Sequence, residues 1–134
     1  MSNPNIVSVT SIYGNTAYVL PSGTSATATW TYNGSTAITG LTPAAGTVNK
    51  IDSIVVSNTT ATAANCSVAI SNNATFASGT AYYIAYQISV PPNASIIITD
   101  KTTAFYVTEN QSVGVTSGTG SALTYTAAFE AITA

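Results

Sequence analysis

Six side chains in this sequence carry charge at neutral pH, Lys50, Lys101, Asp52, Asp100, Glu109 and Glu130, and there is no histidine. Acid–base catalysis needs two ionisable groups held together with shifted pKa values, which leaves the four carboxylates as candidates. Asp52 lies two residues after Lys50, and Asp100 adjoins Lys101, so both read as surface charges with local partners. Glu109 falls in the polar turn Thr108-Glu109-Asn110-Gln111, and Glu130 on the last apolar-alternating segment. A Glu109/Glu130 pair of the glycosidase kind is the one enzymatic arrangement this inventory allows. Turn chemistry and solvation account for each residue without it. Nucleophilic triads fail for want of histidine, and zinc or copper sites for want of histidine and a second cysteine. No DxDxDG-like calcium cluster and no phosphate-cradling glycine loop is present. Gly118-Thr119-Gly120 reads as a hairpin tip. The sequence predicts no enzyme, no metal and no cofactor.

Cys66 is the single cysteine, so no intrachain disulfide can form. It sits among Ser67, Val68 and Ile70 in an alternating run, as a small buried residue does. A reactive thiol needs a nearby base to lower its pKa, and the nearest in sequence is Lys50. The tyrosines say more. Tyr82 and Tyr86 share one face of their segment and Tyr83 takes the other. The first two are expected in the core with hydroxyls at the rim. Tyr83, with Tyr13 or Tyr18, is a candidate contact surface, because Tyr and Trp are enriched at interfaces. Trp30 or Tyr32 could instead stack on a carbohydrate, although alternation with Ala26 and Ala28 favours the core for Trp30.

The elements that must position these residues are strands. Period-two alternation dominates, and helical periodicity is nearly absent. Strands are expected at 25–33, 36–41, 48–58, 65–71, 80–90, 95–99, 104–107, 112–116 and 122–132. Asn33-Gly34 suits a tight hairpin, and Pro91-Pro92 ends the fifth run because proline cannot donate to a ladder. Clean alternation indicates antiparallel pairing. The prediction is all-β: residues 1–134 form a single antiparallel β-sandwich, jelly-roll or immunoglobulin-like, of eight to ten short strands. Its expected core is Val7, Val9, Trp30, Ile54, Val56, Val68, Ile70, Ile84, Ile88, Ile97, Val113, Leu123, Tyr125 and Phe129. Residues 1–12 are either an assembly arm, with Ile6 and Val7 as contact residues, or the first strand of the domain's own sheet.

Composition then narrows the role. Thr, Ser, Asn and Gln fill 53 of the 134 positions, while charged residues make up 4%, against about a quarter in ordinary globular proteins. A net charge of −2 gives no electrostatic footprint for nucleic acid or an anionic membrane. No segment has the length of a membrane span. The opening MSNPNIVSV has neither the basic region nor the apolar core of a signal peptide, which predicts no secretion by a standard signal and makes the six Asn-x-Ser/Thr sequons matters of composition. Weakly charged surfaces associate readily. Without long charged side chains, assembly avoids both desolvated unpaired charge and lost rotamer entropy.

The segments NPNIVSVTSIYGNTA, NKIDSIVVSN, YYIAYQISVPPNASIIITDKTTAFYVTENQSV and YTAAFEAI resemble the small virion structural proteins, of capsid-decoration kind, of marine tailed bacteriophages including cyanophages. Asn15 stands where that pattern often has lysine, and polar residues are inserted between Ser22 and Gly46. The resemblance implies a decoration or cement protein on the outer capsid surface, homo-oligomeric and bound to the major capsid protein or other virion proteins. The alternative it leaves is a tail or fibre component that binds a receptor or glycan.

Overall fold

Thr, Val, Ile and Tyr recur along the chain, and branched and aromatic side chains fit a pleated surface while crowding a helix. The computed structural model describes residues 7–134. In them run ten strands: β1 Ser11–Val19, β2 Thr29–Tyr32, β3 Thr36–Thr39, β4 Thr47–Asn58, β5 Ala64–Ser71, β6 Ala81–Val90, β7 Ser95–Thr99, β8 Phe105–Val107, β9 Ser112–Ser117 and β10 Leu123–Thr133. Short 3₁₀ turns at Phe76–Ser78 and Lys101–Thr103 are the only helical pieces among these residues. Every strand pairing is antiparallel.

Two sheets of unequal size face each other, which makes the protein an all-β sandwich. The large sheet runs β3-β2-β1-β10-β4-β7, with β8 also on β4; the small one runs β6-β5-β9. Most expected strands stand where alternation put them. The run 25–33 shortens to β2, with Thr27 bridging alone to Val115 on the other sheet. The first strand is displaced: β1 begins at Ser11, and Val7 to Thr10 lie outside any strand. Ile6 lies outside the described residues. The Gly118–Gly120 turn does not close a hairpin, because β9 belongs to the small sheet and β10 to the large one.

The core fills the space between the sheets. Trp30, Tyr125, Leu41, Ile51, Ile54, Leu123, Val56, Val68 and Val113 are fully buried, each contributing about 1.5–3 kcal/mol of apolar transfer at most. Ile51 and Ile54 are three residues apart, yet both face inward. The register between β4 and β10 slips at Ala128/Phe129, so that Asp52 has no partner and the alternation resets. Two polar tips tie the large sheet to β9. Trp30 Nε1 donates to the Val113 carbonyl at 3.1 Å, and the Tyr125 hydroxyl to the Thr116 carbonyl at 2.8 Å. Asn58, buried at the end of β4, donates to the Thr62 and Val90 carbonyls and accepts from the Thr60 amide, which fixes the passage from β4 to β5.

Four expected core residues are surface residues. Val7 is 91% and Ile97 67% exposed, and Ile84 and Ile88 are also exposed. Val9 and Ile70 are half-buried. Val7 precedes the sheet, Ile97 lies on the rim strand β7, and Ile84 and Ile88 lie on β6. A ten-residue edge strand with no strand beyond it cannot bury both of its flanks. Conversely, Ser67, Ser71, Ser112 and Ser117 are buried. The 72–80 segment folds over the outer face of the small sheet at Ser71 and Ser112, with Ser71 Oγ donating to the Phe76 carbonyl and Ser112 Oγ to the Asn73 carbonyl, while Ser117 opposes Cys66 on the core side.

Candidate functional site

Edges decide what a sandwich can do. β9 is stitched shut along its open side: Thr27 and Val115 exchange two backbone bonds of 2.9 Å, and the Val113 amide donates to the Gly40 carbonyl at 2.7 Å. The remaining edge of the small sheet is β6, AYYIAYQISV, which contains no charge and no proline. Its register against β5 slips twice, at Cys66/Val68 and at Val68/Ala69, and Gln87 takes a left-handed φ of 49°. These bulges sort its side chains into two groups. Tyr82 opposes Ile70 and Ile88 opposes Cys66, so both lie on the core-side flank, yet they are 59% and 43% exposed. They form an apolar ledge projecting past the core. Tyr83 opposes Ala69 on the outer face, and Tyr86 meets it edge-on, ring centroids 4.7 Å apart and planes at 69°.

That outer pair borders a cleft of about 290 Å³ across the small sheet. Its floor is the register pair Ser67 and Thr116, with Asn65 and Gln87 alongside, and Thr24 and Gly118 form the far wall. Ser67 Oγ accepts the Gln87 amide at 2.9 Å, which binds the bulge to the floor. Nothing charged lines the cleft. A second hollow, about 320 Å³, lies on the large sheet over Tyr32, Phe129, Ile38 and Asn49.

The expected contact residues do not converge. Tyr83 is exposed on the small sheet. Tyr13 and Tyr18 are exposed on β1 of the large sheet, on opposite faces of it, and the Tyr18 hydroxyl donates to the Gly34 carbonyl at 3.2 Å. Val7 is exposed outside the strands. Trp30 is wholly buried, so stacking on it is excluded. Tyr32 is half-buried, packed against Phe129 at 6.1 Å. Tyr82 and Tyr86, expected to share the core face, are both exposed and on different flanks. Tyr86 was missed as a surface residue because the bulge that turns it outward leaves no trace in the spacing.

Three of the four carboxylates, Asp52, Asp100 and Glu109, have local partners. Lys50 Nζ lies 3.8 Å from Asp52 Oδ1, a half-buried contact at a long distance and so of little energetic weight. Asp100 caps the turn after β7. Its Oδ1 accepts from the Thr102 hydroxyl and amide, and these bonds hold its carboxyl below the usual carboxylate range. Glu109 Oε1 accepts the Gly46 amide at 2.6 Å while its Oε2 is buried without a hydrogen-bond partner. Glu130 stands across from Lys50 on β4 and Gly14 on β1. Burial pushes the Cys66 thiol up. Burial likewise pushes the Tyr125 hydroxyl up to about 12; Ser117 beside it tempers the shift without completing a hydrogen bond of ordinary geometry. No group of three metal-capable side chains occurs among the described residues, and no helix there is long and apolar enough to cross a membrane.

No family model, curated protein or solved structure matches this chain.

Proposed function

We propose that this chain is a structural virion protein, a capsid decoration subunit that sits on the outer shell in many copies and contacts the major capsid protein and its own neighbours. It has no catalytic role. The observation that carries this reading is the β6 ledge. Natural edge strands are guarded by lysine, proline, inward charge or bulges; β6 has only bulges, which interrupt its ladder but leave the apolar side chains of Tyr82, Ile84 and Ile88 exposed. An apolar strip on a protein with six charges loses little on being covered, and covering it removes a liability in solution. The resemblance to small phage virion proteins points the same way.

Quantitative mass spectrometry of purified particles tests the copy number, with hundreds of copies expected; a handful would assign the chain to a tail or fibre instead. Co-sedimentation with shells tests the contact. Ile88→Lys should abolish it at unchanged melting temperature, and wild-type binding should survive molar NaCl, since little charge is available to screen. Release by moderate salt alone, or unchanged binding of the Ile88→Lys variant, would overturn the assignment.

A further inference from the structure

We infer that the cleft between the Tyr83/Tyr86 pair and Thr24 binds a neutral saccharide ring, and that this activity is separate from attachment through the ledge. The side chains present match the chemistry of a pyranose, which has an apolar face of C–H groups and a rim of hydroxyls. Tyr83 and Tyr86 are 53% and 60% exposed, and their edge-on contact at 4.7 Å restrains each ring against the other, which presents an aromatic surface and lowers the rotamer entropy lost on binding. The floor and flanks supply hydroxyls and amides from Asn65, Ser67, Gln87 and Thr116. Ser67 Oγ accepts from the Gln87 amide, which leaves its O–H to donate to a ligand.

Size and charge narrow the ligand. From β6 across β5 to β9 is two strand spacings, about 10 Å, wide enough for one sugar ring between the walls. The cavity of about 290 Å³ lies at the low end for ligand pockets, about 300–1,000 Å³, so it takes one or two residues of a glycan. No lysine or arginine lines it, which disfavours phosphate, sulfate and sialic acid because a buried anion needs a counter-charge. A purely apolar ligand would strand the polar floor. The cleft also lies on the flank of β6 opposite Tyr82 and Ile88, so docking through the ledge leaves it open. This site does not depend on the decoration reading.

Saturation-transfer NMR on the full chain tests it, with the methyl pyranosides of glucose, galactose, mannose, fucose and N-acetylglucosamine as probes and N-acetylneuraminic acid as anionic control. At least one neutral probe should bind saturably with Kd about 1 mM, magnetisation passing mainly to its ring C–H protons. Tyr83→Ala and Tyr86→Ala should each weaken it about tenfold. Thr24→Trp, a substitution at an exposed wall residue that fills the cleft, should abolish binding without moving the melting temperature. Thermal melts of all variants establish that they are folded. The proposal is overturned if no neutral probe binds below about 20 mM, if the Thr24→Trp protein binds as wild type does, or if the anionic control binds best.

Discussion

Gly114 on β9 packs under the ring of Phe76, and the fit leaves no room for a methyl group. A Cβ at position 114 would lie 2.6–2.8 Å from three carbons of that ring, against the 3.5–4.0 Å of ordinary carbon contact. The phenylalanine must therefore move by about 1 Å or swing off the sheet. Sliding away opens a gap beneath the 72–80 segment; swinging out exposes the ring and loosens the bonds from Ser71 and Ser112 that hold the segment. Overpacking of this kind costs about 1–3 kcal/mol, so Gly114→Ala should lower the melting temperature by roughly 3–10 °C for a domain of this size. The double-mutant cycle isolates the cause. In a Phe76→Ala background the ring is absent, and the same substitution should cost under about 0.5 kcal/mol, leaving an interaction energy of 1 kcal/mol or more. Urea unfolding of the four proteins, with m-values compared, provides the measurement. Equal costs in the two backgrounds would refute the reasoning, because the penalty would then lie in the strand backbone and not in the ring above it.

Trp30→Phe should destabilise by about 2–3 kcal/mol in the same assay, since it removes the bond to the Val113 carbonyl and leaves that acceptor buried; a loss below about 0.5 kcal/mol would mean water replaces the donor. The Asp100 carboxyl is held below its unfolded pKa by the Thr102 bonds, so its contribution is present above the unfolded value and disappears as pH falls through the folded one. Asp100→Asn should flatten the acid limb of a stability-versus-pH curve, and an unchanged limb would show that the capping bonds are inert. Cys66, buried with its thiol pushed up, should resist a disulfide reagent in the native protein and react at once in urea.

Much of the fold was legible because strand residues and breakers agree. β4, β5, β7, β8 and β10 begin and end within a residue or so of where alternation, Pro91-Pro92 and the polar turns put them. β1 was not legible. SIYGNTAYV carries Gly14 and Asn15 in mid-strand, which local propensity counts against, and the strand exists because nine of its residues register against β10, more than a hundred positions away. Non-local pairing of that kind leaves no local signal. β6 failed for a different reason. Its alternation is real, but between the two bulges Ala85 takes the core side in place of Ile84 and Tyr86, and Tyr82 and Ile88, which do lie on that side, project past the core, so that only Ala85 and Val90 are buried. Of the cleft only Tyr83 was legible, as an exposed contact residue. Tyr86 was expected in the core, and the floor of Ser67 and Thr116 is assembled from strands fifty residues apart.

The bulges also determine how β6 can be covered. A partner adding as a fresh strand needs a regular row of outward amides and carbonyls, and β6 offers it only in short stretches, because the register slips beside Val68 and the backbone turns left-handed at Gln87. Bulging is one of the ways natural sheets prevent such pairing. On the proposed attachment, then, the ledge engages through side chains, and the two modes differ in what breaks them. Side-chain docking should fail with Tyr82→Lys or Ile88→Lys and tolerate Ser89→Lys, whose position carries no exposed apolar group to lose. Ladder extension would be disturbed about equally by lysine at any of the three, and most by a proline at an outward amide. Co-sedimentation of the three lysine variants, each with an unchanged melting temperature, separates the two modes. Loss of binding in all three, Ser89→Lys included, would show that the strand edge itself is the contact and that its bulges do not guard it.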